Sequence, residues 1–417
     1  MTDTLPDART ASPEGSAFPE GTVEPEYHLT EPLDPDAAEL FADVPAADRE
    51  YWMRTRAFVQ DEVLPVIDDY WNRADYPVHL VRRMGELDLL RDGLEVDGYP
   101  AMSPLAAGLV NMEMSRGDGS MATVVAVQGG LAMRSVALLG SDEQKARWLK
   151  PLAAGTEYGA FALTEPTHGS DSTSLETRAV TVPGGFRISG SKKWIGNGSI
   201  GGLTVVWARG DDDAVHGYLV EQDSPGYSAV PIENKTALRA IWQARIRMDD
   251  VFVPTEALLP DAKTFKDTSR VLLATRLSVA WSAVGHATAC YETAVHYAKQ
   301  RIQFGRPLAH SQVVQERLSR MLSELTQIQL LAFRMTELDA AGRLTGEKAS
   351  LAKYTTTRTA RSIAANARDL LGGNGLLLPN RVARHFSDIE AIHTYEGTET
   401  MQALIIGRGI TGKSAFV

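Results

Sequence analysis

The stretch Glu390-Ala-Ile-His-Thr-Tyr395-Glu396-Gly397-Thr398-Glu-Thr-Met401 predicts a tight corner between two helices. Gly397 interrupts the helical spacing that precedes it, and Thr398 stands where an N-cap belongs. A glutamate at such a corner, beside an aromatic ring and a glycine, can be shielded from water. Desolvation raises the pKa of a carboxyl group towards neutrality, as a general base requires. From these residues alone the simpler interpretation is favoured, in which Glu396 complements the dipole of the following helix. The apolar residues that define the preceding helix are Val382, Phe386, Ile389 and Ile392.

Length, charge and cysteine content limit the class of protein. The 417 residues exceed a single core and predict two or three domains. The net charge of −11, without any Lys/Arg-rich run, argues against nucleic-acid binding and against a polybasic membrane segment. The single cysteine, Cys290, fits a reducing compartment, and the N-terminus lacks the apolar core of a signal peptide, so we expect a cytoplasmic protein. The longest uncharged runs, Ser120–Met133 and Leu277–Tyr291, are too short to span a bilayer and predict buried helices.

Hydrophobic periodicity divides the chain into four parts. Residues 1–35, rich in proline and acids, predict a disordered tail, and residues 36–156 have helical periods. Residues 157–265 predict a small β-domain that includes a hairpin, with Ala179–Val182 facing Phe186–Ile188. Residues 266–417 predict a helical bundle. The predicted fold class is therefore mainly α with a central β-domain.

Known sequence motifs exclude several chemistries. The run Gly196-Asn-Gly-Ser-Ile-Gly201 has the spacing of a dinucleotide-binding loop, but it precedes a predicted strand, so we expect no Rossmann site. The nine histidines show no metal-ligand spacing with cysteine or with each other, so we expect no metal site. Three other segments suit ligand binding: the loop Phe161–Asp171, the strand end Trp194–Gly196, and Arg301–Gly305 with Gln312. Taken alone, the loop Phe161–Asp171 equally suits an ordinary strand exit, Trp194–Gly196 is better explained by edge-strand packing, and Arg301–Gly305 also suits a solvated helix end.

Taken together and in this order, these segments resemble the acyl-CoA dehydrogenase family of flavoproteins. The resemblance runs from about Tyr51 to Phe416 and is closest to the glutaryl-CoA dehydrogenases and the plant peroxisomal short-chain acyl-CoA oxidases. It implies an N-terminal helical domain, a small β-barrel-like domain and a C-terminal helical bundle. The motifs that carry it are Leu163-Thr-Glu-Pro with Gly169-Ser-Asp, Lys193-Trp-Ile-Gly, Gln303-Phe-Gly, Leu371-Gly-Gly-Asn-Gly, Tyr395-Glu-Gly-Thr and Ile410-Thr-Gly with Ala415-Phe416.

The resemblance also implies a role for each matching residue. Glu396 would remove the α-proton of an acyl-CoA thioester, and the hydride from the β-carbon would pass to FAD, giving a trans-2-enoyl-CoA. Part of the FAD site would come from a neighbouring subunit of a homotetramer, and an electron-transfer flavoprotein or similar acceptor would take the electrons. The implied substrate-binding residues are Ser170, Ala122, Thr123, Arg276, Tyr395 and Gly397. The implied FAD-binding residues are Phe161, Leu163, Thr164, Gly169, Ser170, Trp194, Ile195, Gly196, Arg301, Gln312, Asp369, Leu370, Leu371, Gly372, Gly373, Thr398 and Phe416.

One departure from the glutaryl-CoA dehydrogenases concerns the acyl tail. Their arginine that pairs with the distal carboxylate of the substrate corresponds here to Ala122, and a nearby acidic residue corresponds to Ser115. Burying an unpaired carboxylate costs several kcal/mol. We therefore expect an uncharged acyl tail. The alternatives that the sequence leaves open are an acyl-CoA oxidase that uses O₂, a glutaryl-CoA dehydrogenase, and a non-catalytic scaffold of the same fold.

Overall fold

The computed structural model describes residues 25–415 and places helical regions on both sides, in sequence, of a central sheet. The N-terminal helices are α1 (Ala46–Phe58), α2 (Leu64–Arg73), α3 (Val78–Glu86), α4 (Pro104–Gly117), α5 (Gly119–Val125), α6 (Arg134–Leu139) and α7 (Asp142–Ala153). The strands are β1 (Gly159–Ala162), β2 (Arg178–Val182), β3 (Gly185–Gly196), β4 (Leu203–Arg209), β5 (Val215–Glu221), β6 (Tyr227–Pro231), β7 (Gln243–Pro254), β8 (Ile302–Gln303) and β9 (Arg306–Pro307). The C-terminal helices are α8 (Phe265–Gln300), α9 (Gln312–Ala340), α10 (Gly346–Leu370), α11 (Val382–Thr394) and α12 (Glu399–Thr411).

The N-terminal helical region is built around a helix that is apolar on all sides. α5, the π-helical segment Ala126–Met133 and α6 are continuous, and Asp118 caps them by accepting hydrogen bonds from the N–H groups of Ser120 and Met121. In the described part of the chain, one helix, Gly119–Leu139, has the length and apolar composition of a membrane span, and 78% of its most apolar window is buried inside the protein. This burial agrees with the prediction of a core helix.

The central sheet has seven strands in the order β1-β4-β2-β3-β7-β6, with β5 paired to β4. The predicted hairpin is present: Ala179 faces Ile188, and Val182 faces Gly185, which belongs to the strand and not to the turn. β1 runs parallel to β4. The chain leaves β1 at Ala162 and enters the loop that begins at Leu163. The inner face of the sheet forms one apolar core, together with α6, α7 and the first turns of α8.

The C-terminal bundle packs along α8, which has 36 residues and is therefore about 54 Å long. On α9 one buried apolar seam consists of Met321, Leu325, Ile328, Ala332 and Met335. On α11, Val382, Ile389 and Ile392 are fully buried, but Phe386 is 38% exposed and does not belong to the core face. Phe386 lies at the edge of the buried stripe that Val382, His385 and Ile389 form on this helix.

The predicted tail ends earlier than residue 35. Residues 1–24 lie outside the described residues, but residues 25–35 pack against α8: Leu29 is 3% exposed, and the rings of Tyr27 and Tyr297 are 4.9 Å apart. Glu292 accepts hydrogen bonds from the N–H groups of Leu33 and Asp34. Residues 25–35 are therefore packed against the protein despite their prolines and acids, because a few large side chains of this segment are buried.

Candidate active site

The corner between α11 and α12 has the predicted shape. α11 ends at Thr394, and Thr398 caps α12, its hydroxyl oxygen accepting a hydrogen bond from the N–H of Met401. The backbone turns through left-handed conformations, with φ +53° at Glu396 and φ +89° at Gly397. For a residue with a side chain, such as Glu396, this conformation costs about 1–2 kcal/mol, so the surrounding structure has to hold it.

The carboxylate of Glu396 is partly buried between α8 and α10. The hydroxyl of Thr275 donates a hydrogen bond to Glu396 Oε2. Removal from water raises the pKa of Glu396 above its ordinary value, and the negative charge of Asp92 adds to this shift. The Thr275 hydroxyl and the cations Lys353 and Arg276 act in the opposite direction. A carboxylate in this environment binds a proton more readily than an ordinary glutamate, which suits a general base.

The main chain around Glu396 is held by two side chains. The ammonium of Lys353 donates to the carbonyl oxygens of Tyr395 and, at 2.6 Å, of Gly397. The amide of Gln402 donates to the carbonyl oxygens of Glu396 and Gly397, each at 3.0 Å. A Cβ on Gly397 would lie 2.7 Å from Gln402 Nε2, so a larger residue would displace this amide. Gly397 is therefore required both for its conformation and for space.

Two of the predicted FAD-binding segments lie side by side. The N–H of Lys193 on β3 donates to the carbonyl oxygen of Thr164 at 2.9 Å, which joins the loop after β1 to the end of β3. Beneath the loop, the buried Lys192 ammonium donates to Glu165 at 2.9 Å, and burial lowers the pKa of Lys192 to about 8. Glu165 also accepts from the N–H of Thr177 at 2.9 Å. These contacts with Lys192 and Thr177 hold the loop on its inner side, so its outer side is free to contact a ligand.

The side chains of these segments divide into inward and outward groups. Phe161, Leu163 and Ile195 are buried in the core, so only their backbone atoms can reach a ligand. Trp194 is 52% exposed, lies at a bulge in β3 and has φ +67°. Beside Gly169 there is open space, since a Cβ there would have no neighbour within 4 Å. An exposed indole next to a polar, glycine-containing loop fits a planar ring such as a flavin.

A second group of predicted residues meets at the other end of α8. Arg301, which caps α8, donates to the hydroxyl of Tyr27 at 2.9 Å, and Asn374 donates to the hydroxyl of Tyr297 at 2.9 Å. These contacts bring Arg301 near the loop that follows α10. At the end of α10 and in the loop after it, Asp369, Gly372 and Gly373 are exposed, Leu370 is partly buried, and Leu371 is buried so that only its backbone is accessible. Gln312 is the first residue of α9 and is exposed.

Within one chain, Arg301 lies far from the corner that carries Glu396. Thr275, which contacts Glu396, and Arg301 lie on the same helix, α8, about 39 Å apart at 1.5 Å per residue. This distance exceeds the length of an extended dinucleotide. Phe416, the last of the predicted FAD-binding residues, lies outside the described residues.

The predicted substrate-binding residues lie close to the corner or to the loop after β1. Thr123 and Ala122 are buried on α5, and the hydroxyl of Thr123 is within hydrogen-bonding reach of the Tyr395 hydroxyl. Arg276 follows Thr275 on α8 and has a buried Nε without a hydrogen-bond partner. Ser170 is exposed on the loop after β1.

Sequence reasoning missed four residues around Glu396: Thr275, Lys353, Gln402 and Asp92. The sequence could have singled out Lys353, because a cation stands there within a helical stripe of small residues that is buried. That stripe of α10 consists of Ala349, Ala352, Thr356 and Ala360. Thr275 and Asp92 meet Glu396 from positions distant in sequence, whereas Gln402 is only six residues from Glu396 and its amide carries no distinctive pattern.

Two clusters of titratable groups meet in space although their sequence spacing gave no signal. The ligand atoms of Glu165, His168 and Glu176 lie within 4.8 Å of one another, but the Lys192 ammonium already occupies Glu165 and opposes a cation there. The rings of His286 and His385 meet in the core, with 2.8 Å between their Nδ1 atoms. Burial and nearby arginines lower the pKa of His286 to about 3. We assign no metal to either cluster.

Comparisons with known proteins agree with this geometry. Models of the acyl-CoA dehydrogenase N-terminal, middle and C-terminal domains match residues 46–156, 160–251 and 265–411. The human mitochondrial short-chain specific acyl-CoA dehydrogenase is 30% identical over 87% of this chain and 90% of its own length. Glutaryl-CoA dehydrogenase from Mycobacterium smegmatis is 38% identical, with a TM-score of 0.88 over 91% of this chain and 98% of that chain. A second structure of a glutaryl-CoA dehydrogenase from that organism, in complex with FADH2, is 36% identical, with a TM-score of 0.88 over 90% of this chain and 97% of that chain. The chain therefore belongs to the acyl-CoA dehydrogenase family, a family of FAD-dependent oxidoreductases.

Proposed function

We propose that this protein converts an acyl-CoA with an uncharged tail into the trans-2-enoyl-CoA, with Glu396 as the base that removes the α-proton. The observation that carries this proposal is the environment of Glu396: a desolvated carboxylate on a left-handed turn, hydrogen-bonded by Thr275 and flanked by two cations. The raised pKa of Glu396 suits the removal of a proton from carbon, because protonation of this carboxylate is more favourable in free energy than protonation of an ordinary carboxylate.

The proposal assigns the cofactor site to the two segments joined by Lys193 and Thr164. Backbone N–H groups and hydroxyls of Phe161–Ser170 would hold the polar edge of the flavin ring, and Trp194 would cover one face. When bound, FAD supplies the acceptor for the hydride that leaves the β-carbon. The backbone N–H of Glu396 would polarise the thioester carbonyl, which makes the α-proton more acidic. Thr398 would complete the contacts at the start of α12.

The uncharged tail is proposed from position 122. Ala122 is buried and carries no charge that could pair with a distal carboxylate. The human short-chain relative supports a short, uncharged acyl group. The likeness to glutaryl-CoA dehydrogenase supports the second candidate, glutaryl-CoA, which a panel of substrates distinguishes from the first.

We further propose that the active form is a homotetramer, in which Arg301, Gln312 and the loop Asp369–Gly373 complete the FAD site of a neighbouring subunit. The distance between Arg301 and Thr275 along α8 supports this arrangement. Exposed apolar residues near this end of the molecule also support it: Phe304 is fully exposed, and Leu376 and Leu377 are at least half exposed. We propose a cytoplasmic role in fatty-acid β-oxidation, with an electron-transfer flavoprotein as acceptor. The proposed domain boundaries are 36–156, 157–265 and 266–417.

The deciding experiment mixes purified protein anaerobically with butyryl-, hexanoyl- and glutaryl-CoA and follows the flavin absorption. We expect a yellow protein whose absorption bleaches with the first two. A colourless protein that gains nothing from added FAD contradicts the proposal. Repeating the reaction in air with a peroxide assay separates a dehydrogenase from an oxidase, since only the oxidase forms stoichiometric peroxide.

A further inference from the structure

Lys353 is a buried lysine whose position requires a specific reason. Its side chain lies on the inner face of α10 and is 1% exposed. Burial of an ammonium group is costly unless its donors are satisfied. Accordingly, burial lowers the pKa of Lys353 to about 7, while the carboxylate of Glu396 acts in the opposite direction.

The donors of Lys353 are directed at the corner that carries Glu396. They reach the carbonyl oxygens of Tyr395 and Gly397, the two residues that flank Glu396. The carbonyl oxygen of Glu396 itself is taken by Gln402, which also shares that of Gly397. Three successive main-chain carbonyls are therefore held by side chains from α10 and α12. Glu396 has a left-handed backbone conformation, which the surrounding contacts must hold in place. By holding it, these hydrogen bonds also fix the direction in which the Glu396 side chain leaves the backbone.

We propose that Lys353 is a positioning residue for the base: by binding the carbonyl oxygens on both sides of Glu396, its ammonium keeps the carboxylate aimed at the reacting carbon. The inference rests on the proposed role of Glu396. Lys353 acts through Glu396 and through the main chain.

The charges that face Glu396 come from three elements. Lys353 lies on α10, Arg276 on α8 and Asp92 in the segment between α3 and α4. Arg276 and Lys353 stabilise the ionised carboxylate, and Asp92 destabilises it. Without Lys353, the favourable effect of the Arg276 charge is countered by the negative charge of Asp92. The Glu396 carboxyl group therefore becomes harder to ionise.

The test compares Lys353→Met with the wild type and with Ile363→Val, a core substitution on the same helix. Flavin reduction by butyryl-CoA is followed anaerobically from acid to alkaline pH. We expect the acid limb of the Lys353→Met profile to move to higher pH and reduction at neutral pH to fall at least tenfold, with FAD content unchanged. Lys353→Arg, which keeps the charge, should restore part of the rate. Ile363→Val should lower thermal stability without moving the limb.

A second readout does not depend on turnover. Infrared difference spectra between each protein and its Glu396→Gln counterpart report the ionisation of the Glu396 carboxyl group as a function of pH. The midpoint should rise in Lys353→Met, and in Lys353→Gln if the methionine variant does not fold. A midpoint and an acid limb that both match the wild type would overturn the inference. If wild-type protein is reduced by no acyl-CoA, the proposed function fails, while the infrared midpoint still tests the link between the two side chains.

Discussion

The hydroxyl of Thr275, on the third turn of a 36-residue helix, donates a hydrogen bond to the carboxylate of Glu396, 121 residues further along the chain. Thr275 is 1% exposed, so water does not replace this donor when it is removed. The hydrogen bond favours the ionised carboxylate and holds one of its two oxygens in place.

Thr275→Val should therefore raise the pKa of Glu396 and slow flavin reduction at neutral pH. A hydrogen bond to a charged group contributes about 1.5–3 kcal/mol, which corresponds to a decrease of roughly 10- to 100-fold. The rate is measured by anaerobic stopped-flow mixing with butyryl-CoA over a range of pH. Thr288→Val removes another buried hydroxyl on the same helix, one that donates to the carbonyl oxygen of Val284, and serves as the control. Equal effects of both substitutions would mean that Thr275 acts through stability alone.

Glu396→Gln separates basicity from packing. Glutamine keeps the size and hydrogen-bonding capacity of the side chain but cannot accept the α-proton. Flavin reduction should fall about 10²- to 10⁴-fold, as is typical for the loss of a general base. FAD should remain bound, because its proposed contacts lie mainly on other segments. Rapid-mixing kinetics and the flavin-to-protein absorbance ratio of one sample test both expectations, and reduction at the wild-type rate would remove Glu396 from the mechanism.

The sequence was sufficient for features that depend on local pattern. The hairpin from Ala179 to Ile188 and the corner at Glu396 are both signalled by residues within a few positions of one another. The proposal that Glu396 is a base and not only a dipole partner of α12 rests on its surroundings, Thr275 and Lys353, which no local pattern specifies.

The contacts that hold the corner at Glu396 could not be predicted from local sequence patterns. Lys353 meets the carbonyl oxygen of Tyr395 across 42 residues, and the two core histidines His286 and His385 meet across 99. No periodic pattern specifies which buried helix faces will meet, because this depends on how α8, α10 and α11 pack against one another. The assigned roles in FAD and substrate binding stay predictions.

Arg301→Ala should weaken FAD retention and the association of subunits together, because Arg301 is proposed to contact the cofactor of a neighbour. Loss of one charge-assisted contact corresponds to roughly 10- to 100-fold weaker binding. Sedimentation velocity and flavin release on dilution measure the two properties. Arg334→Ala removes an exposed arginine of α9 that pairs with Glu337 and should leave both unchanged. A fully flavinylated, active monomer would contradict the proposed assembly.

Ala122→Arg should shift substrate preference from butyryl-CoA towards glutaryl-CoA. The wild type offers no charge at this buried position, whereas an arginine can pair with the distal carboxylate. The larger side chain also strains the core by about 1–3 kcal/mol, so Ala122→Leu, which adds bulk without charge, is the control. The ratio of kcat/KM for the two substrates is the measurement. Wild-type preference for glutaryl-CoA with release of CO₂ would refute the assignment of an uncharged tail.

The raised pKa of Glu396 also predicts a pH dependence of stability that needs no substrate. Because burial raises this pKa, the folded state binds the proton more tightly than the unfolded state. The stability from this group is therefore complete below the unfolded pKa and is lost as pH rises through the folded pKa. Glu396→Gln is neutral throughout and lacks this loss. In the window that begins at the ordinary glutamate pKa, about 4.3, and extends upwards to the raised pKa of the folded protein, the melting temperature of the wild type should fall relative to that of Glu396→Gln. A difference that stays constant over this window would show that Glu396 titrates normally in the folded protein.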